Sequence, residues 1–398
     1  MKSDLVRMAM ILGLLSCVGP FAIDMYLPAL PAIAASLDAP VEATQYTLMS
    51  FFVAFGLCQL FYGPASDMFG RKPPLYFGLV LFALASVGCA LAPSIEWLVA
   101  LRFVQGVGAA SVMSIPRAVI RDRYTGSEAT RLMTTVMLVI SISPMLAPLA
   151  GSALIEPFGW PSVFIAVALA TVLSLILAAT GLPETLQPAD RVPFKFSAMT
   201  RAFATLLRDP GYMGLTVIGG MGMSSFFVFL STASFLYTGH YGLTPTQFSL
   251  AFALNALGFF TASQFAANLG ERFGSVAVVR WAVSGFAASS VLMLGVIAAG
   301  FDDFSLLVVM LLTSNAFLGL VIPTSMVLSL EEHGPIAGTA AALGGAVQML
   351  LGAVAIVIVS LVFDGTPLPL VAAIALCSVL ALAISALTLR GAEQVAVT

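Results

Sequence analysis

Apolar residues run through this chain in long continuous blocks, not in the rhythm of a half-buried helix or the alternation of a strand. About 20 apolar residues, wound as a helix, cover the ~30 Å hydrocarbon core of a bilayer. Twelve blocks of that kind are legible, near 8–31, 44–66, 73–92, 96–119, 132–155, 160–181, 210–238, 246–268, 275–299, 304–328, 335–362 and 367–389. Membrane-crossing strands would show alternation over ~10 residues, and these blocks are too long and too continuous for that. The pattern predicts an all-α membrane protein of twelve spans. Lys2 and Arg7 give the first block the look of a signal peptide, but it carries Pro20, Asp24, Pro28 and Pro31 and is too long for one. A retained first span is therefore expected.

The connections between blocks are short except for 183–209, which holds Pro183, Glu184, Pro188, Asp190, Arg191, Lys195, Arg201, Arg208 and Asp209. It reads as a linker between two six-span halves, 1–182 and 210–398. A weak internal repeat agrees. Gly63-x-x-x-Asp67-x-x-Gly70 follows the second span, and Ala267-x-x-x-Glu271-x-x-Gly274 follows the eighth, 204 residues later. Parallel repeats of this kind mark secondary transporters whose site lies near the midplane.

Composition narrows the class further. Of 398 residues 60% are apolar and 9% charged, where a soluble domain carries about 25% charged residues. That excludes a soluble globular protein and a disordered chain, and 16 basic against 19 acidic residues leave no basic patch for nucleic acid. Cys17, Cys58, Cys89 and Cys377 are scattered through apolar runs, and His240 and His333 sit in predicted loops, so neither a disulfide framework nor a metal site is expected. No Walker motif is present to couple ATP.

The positions of the charges say more than their number. The odd-numbered connections hold Asp38, Glu42, Glu96, Glu156, His240, Asp302, Asp303 and Asp364, without Lys or Arg. The termini and even-numbered connections hold Lys2, Arg7, Arg71, Lys72, Arg121, Arg123, Arg131, Arg191, Lys195, Arg201, Arg208, Arg272, Arg280 and Arg390. By the positive-inside rule both termini are expected in the cytoplasm. Arg117 falls at the cytoplasmic end of the fourth span, which leaves Arg102 as the only base well inside a span and Asp24 as the only acid. Asp24 is 17 residues above Arg7, and Arg102 is five below Trp97, so at 1.5 Å per residue both belong to the outer half of the membrane at similar depth. They are expected to approach one another directly or through backbone and water, either as a coupling site or as a structural tie. An intramembrane carboxylate is a functional candidate by default.

The segment after the second span reads Gly63-Pro-Ala-Ser-Asp67-Met-Phe-Gly70-Arg71-Lys72. Here the chain resembles the major facilitator superfamily, whose loop motif is G-x-x-x-D-x-x-G-R-[RK]. Leu98-x-x-x-Arg102-x-x-Gln105-Gly106-x-Gly108 in the fourth span, Asp24-Met-Tyr26-Leu-Pro28 in the first and Leu182-Pro183-Glu184-Thr185 after the sixth extend the likeness. Ser143-Pro144-x-x-Ala147-Pro148-x-x-Gly151 in the fifth span is similar to an antiporter motif, with two of its usual glycines replaced. Together these resemble drug/proton antiporters of the bicyclomycin and chloramphenicol resistance (Bcr/CflA) branch.

The resemblance implies a proton-coupled exporter of small amphipathic antimicrobials working by alternating access in the bacterial inner membrane, as a monomer, without a cofactor beyond the proton gradient. It implies proton coupling at Asp24 with Arg102. It also implies a conformational latch of Gly63, Asp67, Gly70, Arg71 and Asp122, with Arg71 pairing Asp122 and Asp67 near the start of the eleventh span. Pro144, Pro148 and Gly151 would form the antiporter hinge. Candidate substrate contacts are Asp24, Tyr26, Arg102, Phe226, Phe227, Asn255 and Gln348. A proton-coupled metabolite exporter or symporter of the same fold remains an alternative, because a fold does not name its solute.

Overall fold

The computed structural model describes residues 3–191 and 196–389; Lys2, Lys195 and Arg390, used above for orientation, lie outside the described residues. Among the described residues regular structure is entirely helical. Twelve helical segments among the described residues are long and apolar enough to cross a membrane, from Leu5–Ser36 to Pro367–Thr388. The chain divides into two compact units, Met1–Lys195 and Phe196–Thr398.

Unit 1 contains α1 (Ser3–Asp24), α2 (Leu30–Ser36), α3 (Val41–Phe69), α4 (Lys72–Ala90), α5 (Ile95–Arg123), α6 (Gly126–Phe158) and α7 (Pro161–Gly181). The first span is not one helix. It stops at Asp24, passes through a 3-10 turn at Leu27–Ala29 and resumes at Leu30. Pro28 and Pro31 explain the break, since each lacks an N–H and its ring crowds the carbonyl four residues back, which for Pro28 belongs to Asp24. The break is packed in the core, with Tyr26, Leu27, Ala29 and Leu30 fully buried. α1 packs on α5, α6 and α7; α3 and α4 both pack on α5; α4 also packs on α7.

Unit 2 contains α8 (Phe196–Arg208), α9 (Pro210–Phe235), a π turn at Leu236–His240, α10 (Pro245–Phe273), α11 (Ser275–Ala298), α12 (Phe304–Glu331), α13 (Ala337–Val362) and α14 (Pro367–Thr388). Its principal pairings repeat those of unit 1. α9 packs on α12, α13 and α14; α10 and α11 pack on α12; α11 also packs on α14. The repeat first visible as two loop motifs thus extends to the helix packing. α8 departs from the expected polar linker. Met199, Phe203 and Leu206 recur at helical spacing on its inner side, Leu206 is fully buried, and the helix packs on α9 and α13 with Arg201 and Arg208 exposed.

Candidate functional site

Asp24 closes α1 at the proline break and is 4% exposed, the only buried Asp or Glu among the described side chains. Its hydrogen bond comes from Ser143 Oγ on α6, 3.4 Å from Oδ2. Small residues bring α6 this close. Pro144, Ala147, Pro148 and Gly151 are buried, and a Cβ on Gly151 would strike the carbonyl oxygen of Met25, the residue after Asp24. The glycine that remains of the antiporter-like motif is therefore the one on which backbone approach to the break depends.

Arg102 on α5 is fully buried, yet it forms no ion pair with Asp24. Its Nη1 donates to Gln105 Oε1 at 2.5 Å and to the Ala22 carbonyl at 3.4 Å. The guanidinium carbon lies 4.6 Å from the ring centre of Tyr26 and 4.4 Å from that of Phe51. On the side of Asp24, Arg102 reaches only the carbonyl of Ala22, two residues before it in the chain. Ring faces stand where an anion was expected, since their quadrupole attracts a cation. Gln105 Nε2 continues the chain to Ser86 Oγ at 2.7 Å, and the Tyr26 hydroxyl is 2.6 Å from Thr47 Oγ1. Nε and Nη2 of Arg102 have no partner.

At the end of α3 Gly70 turns the chain with φ +93°, a left-handed value suited to glycine. Arg71 is 3% exposed; its Nε and Nη2 grip Asp122 on α5 at 2.7 and 3.1 Å, and its Nη1 reaches Asp67 at 2.5 Å and Ser66 at 2.7 Å. Burial opposes the charge on Arg71, but the hydrogen bonds and charges of Asp122 and Asp67 outweigh it and hold the guanidinium above its ordinary value. Thr185 donates to Asp122 as well, at 3.0 Å. Around Gly63 no atom lies within 4 Å of where a Cβ would stand.

Glu184 is the part of this cluster that sequence reasoning missed. α4 has no side-chain cap of its own, and the Glu184 carboxylate accepts from the backbone N–H of Arg71 at 2.9 Å and Lys72 at 3.0 Å. Partial burial works against the charge, and the backbone donors overcome it, keeping this carboxyl below the usual range. An anion at a helix start is favoured by the exposed N–H groups and the macrodipole.

In unit 2, Phe226 and Asn255 meet with Phe229, Phe252, Phe259, Phe260 and Asn315 around one small pocket. Phe227 and Gln348 go elsewhere. Consecutive helix positions point about 100° apart, so Phe227 packs on Gly352 of α13, and Gln348 lies beside Gly219 of α9. Both histidines pair with aspartates at the ends of helices: His240 Nε2 is 2.6 Å from Asp302, which also accepts from Tyr241, and His333 Nε2 is 3.0 Å from Asp209. Asp209 in turn caps α9. Among the described residues no group of three or more His, Cys, Asp or Glu could hold a metal ion.

Two six-span bundles of repeated topology, nearly empty of charge except for one acid and one base inside the first, define the class as a multi-pass membrane transporter. The family model of the Major Facilitator Superfamily matches residues 12–356. An uncharacterised MFS-type transporter, YdgK, of Bacillus subtilis (strain 168) is 34% identical over 352 residues, covering 88% of this chain and 87% of that protein. A bicyclomycin resistance protein homolog of Haemophilus influenzae is 30% identical over 345 residues, covering 86% of each. The crystal structure of the human organic anion transporter MFSD10 (TETRAN) superimposes with a TM-score of 0.71 at 20% identity, covering 98% of this chain and 99% of that one, a likeness of fold alone. The chain belongs to the Major Facilitator Superfamily, in its Bcr/CflA branch.

Proposed function

We propose that the protein is a proton-coupled antiporter that exports small amphipathic antimicrobials, phenicol-like or bicyclomycin-like, across the bacterial inner membrane by alternating access of its two units, with both termini in the cytoplasm. The observation that carries the reading is Asp24. It is the one buried acid among the described side chains, set at a break in the first span, with one long hydrogen bond and no cation to fix its charge. Such a group is expensive to keep inside a membrane for structure alone. Its carboxylate loads a proton in one state and releases it in the other.

Arg102 supports the same reading. Two of its guanidinium nitrogens have no partner although the residue is fully buried, and a cation so placed offers donors to a substrate acceptor or to a newly ionised Asp24. Asp67, Arg71 and Asp122, with Gly63 and Gly70, form the unit-1 side of a conformational latch. Pro144, Pro148 and Gly151 hold α6 against the Asp24 break as the hinge moves. Drug-resistance names among the relatives favour a drug as the exported solute over a metabolite.

The test is proton movement in liposomes containing the purified protein, followed with an internal pH dye while a chloramphenicol or bicyclomycin gradient is imposed. Wild type moves protons against drug flow, and Asp24→Asn binds the drug but uncouples it. Drug-driven proton flux of unchanged size and pH dependence in Asp24→Asn overturns the assignment.

A further inference from the structure

The aromatic pocket of unit 2 has a polar centre. On α9, Phe226 and Phe229 are one turn apart; on α10, Phe252, Asn255 and Phe259 follow one face. The rings pair across the gap, Phe226 with Phe259 at 6.1 Å and 23°, Phe229 with Phe252 at 5.5 Å and 7°. Asn255 stands between the two stacks along α10, 1% exposed, while Asn315 of α12 completes the lining. Phe226, Phe259 and Phe260 are half-buried and form the open side; Phe229 and Phe252 are buried and form the floor.

The carboxamide of Asn255 is oriented by its own helix. Nδ2 donates one of its two N–H groups to the Ala251 carbonyl at 3.0 Å, which fixes the orientation of the group. Oδ1 has no partner at all. A buried acceptor left unpaired is costly, so this oxygen favours anything that brings it an N–H or O–H. The pocket that Asn255 lines has a volume of about 10 Å³, on the scale of a single water. No charged side chain lines the pocket. Buried charge without a partner is disfavoured there, whereas flat apolar groups find ring faces on both sides.

We infer that this pocket is a recognition subsite for neutral substrates that join a flat apolar body to an N–H or O–H donor, with Asn255 Oδ1 as the acceptor that selects them. The inference rests on the exporter reading and specifies its substrate class. The donor of the substrate reaches Oδ1, while its flat body parts the Phe226 and Phe259 rings at the open side. Acceptor-only compounds gain the same apolar contact and leave Oδ1 unpaired.

The experiment is a matched pair. Binding of chloramphenicol, which carries a secondary amide N–H and two hydroxyls, is compared with that of its derivative methylated at the amide nitrogen and at both hydroxyl oxygens, by calorimetry on the purified full chain in detergent at one pH, without a gradient. Wild type binds the N–H compound about tenfold tighter. Asn255→Leu, similar in volume and apolar, removes that preference. If Asn255→Leu fails to fold, the wild-type ratio still decides: equal affinities overturn the subsite. A preference that persists in Asn255→Leu overturns it too, as does tight binding of tetraphenylphosphonium lost in the same variant, which would make the pocket a cation box. Drug-driven proton flux without discrimination sinks the subsite alone. Discrimination without flux removes the exporter reading and leaves a binding site. If neither compound binds, both fall.

Discussion

Removing the Arg71 side chain tests whether the end of unit 1 is held by one residue. In Arg71→Ala the two-pronged grip on Asp122 disappears. Hydrogen bonds to a charged partner are worth about 1.5–3 kcal/mol, and the Asp122 side chain is only 14% exposed, so water replaces them poorly. The Asp67 side chain is 46% exposed, and its pairing four residues away adds only about 0.3–0.5 kcal/mol. The expected loss is therefore about 3 kcal/mol, nearly all from the Asp122 side. For a unit of this size that corresponds to a melting temperature lower by roughly 6–12 °C. Arg71→Lys keeps the charge but cannot fork onto Asp122 while reaching Ser66 and Asp67, so it should recover about half of the loss. The assay is thermal unfolding in detergent followed by tryptophan fluorescence, repeated at high salt, where a largely buried pair loses little. An Arg71→Ala protein melting within about 2 °C of wild type would refute the reasoning, because the grip would then be worth no more than an exposed ion pair.

Two further substitutions probe neighbouring elements. Glu184→Gln weakens the borrowed cap of α4 and should cost about 1 kcal/mol at neutral pH. Because the folded-state carboxyl sits below its ordinary value, this contribution is present above the ordinary carboxylate range and fades as pH falls through the folded value. The gap between Glu184→Gln and wild type should thus close below about pH 4 in melting experiments, and a gap that widens in acid contradicts it. Gly151→Ala drives a methyl into the Met25 carbonyl, with an expected loss of about 1–3 kcal/mol and a larger loss of transport than of drug binding; unchanged transport would free the Asp24 break from α6.

Hydropathy located the spans because a bilayer demands long apolar helices, and that demand is local in sequence. It did not locate the interruption of the first span, although Pro28 and Pro31 were in view, because a proline in a membrane helix can kink it or end it, and packing around Tyr26 and Leu30 decides. Helix rise gave Asp24 and Arg102 a similar expected depth. The partner of Arg102 was not legible, since the Tyr26 and Phe51 rings that receive it come from two other elements. Glu184 caps a helix more than a hundred residues away in the chain, and only tertiary structure brings them together. α8 was legible in principle: Met199, Phe203 and Leu206 carry a helical period that the prolines and charges before them obscured. Phe226 and Phe227 could have been separated from sequence too, because adjacent residues on a helix face different neighbours.

The cage around Arg102 has an electrical consequence. Asp24 and Arg102 are the only buried Asp, Glu, Lys or Arg within the described spans. When Asp24 is ionised the interior of unit 1 is neutral overall. When Asp24 takes up a proton, the guanidinium held by ring faces leaves the same bundle with one net positive charge. A membrane voltage therefore pulls on the protonated bundle and scarcely on the other. In the proposed cycle, at about 2.3 kcal/mol per charge for each 100 mV crossed in full, the resting potential of a cell would act on the half in which Asp24 is protonated.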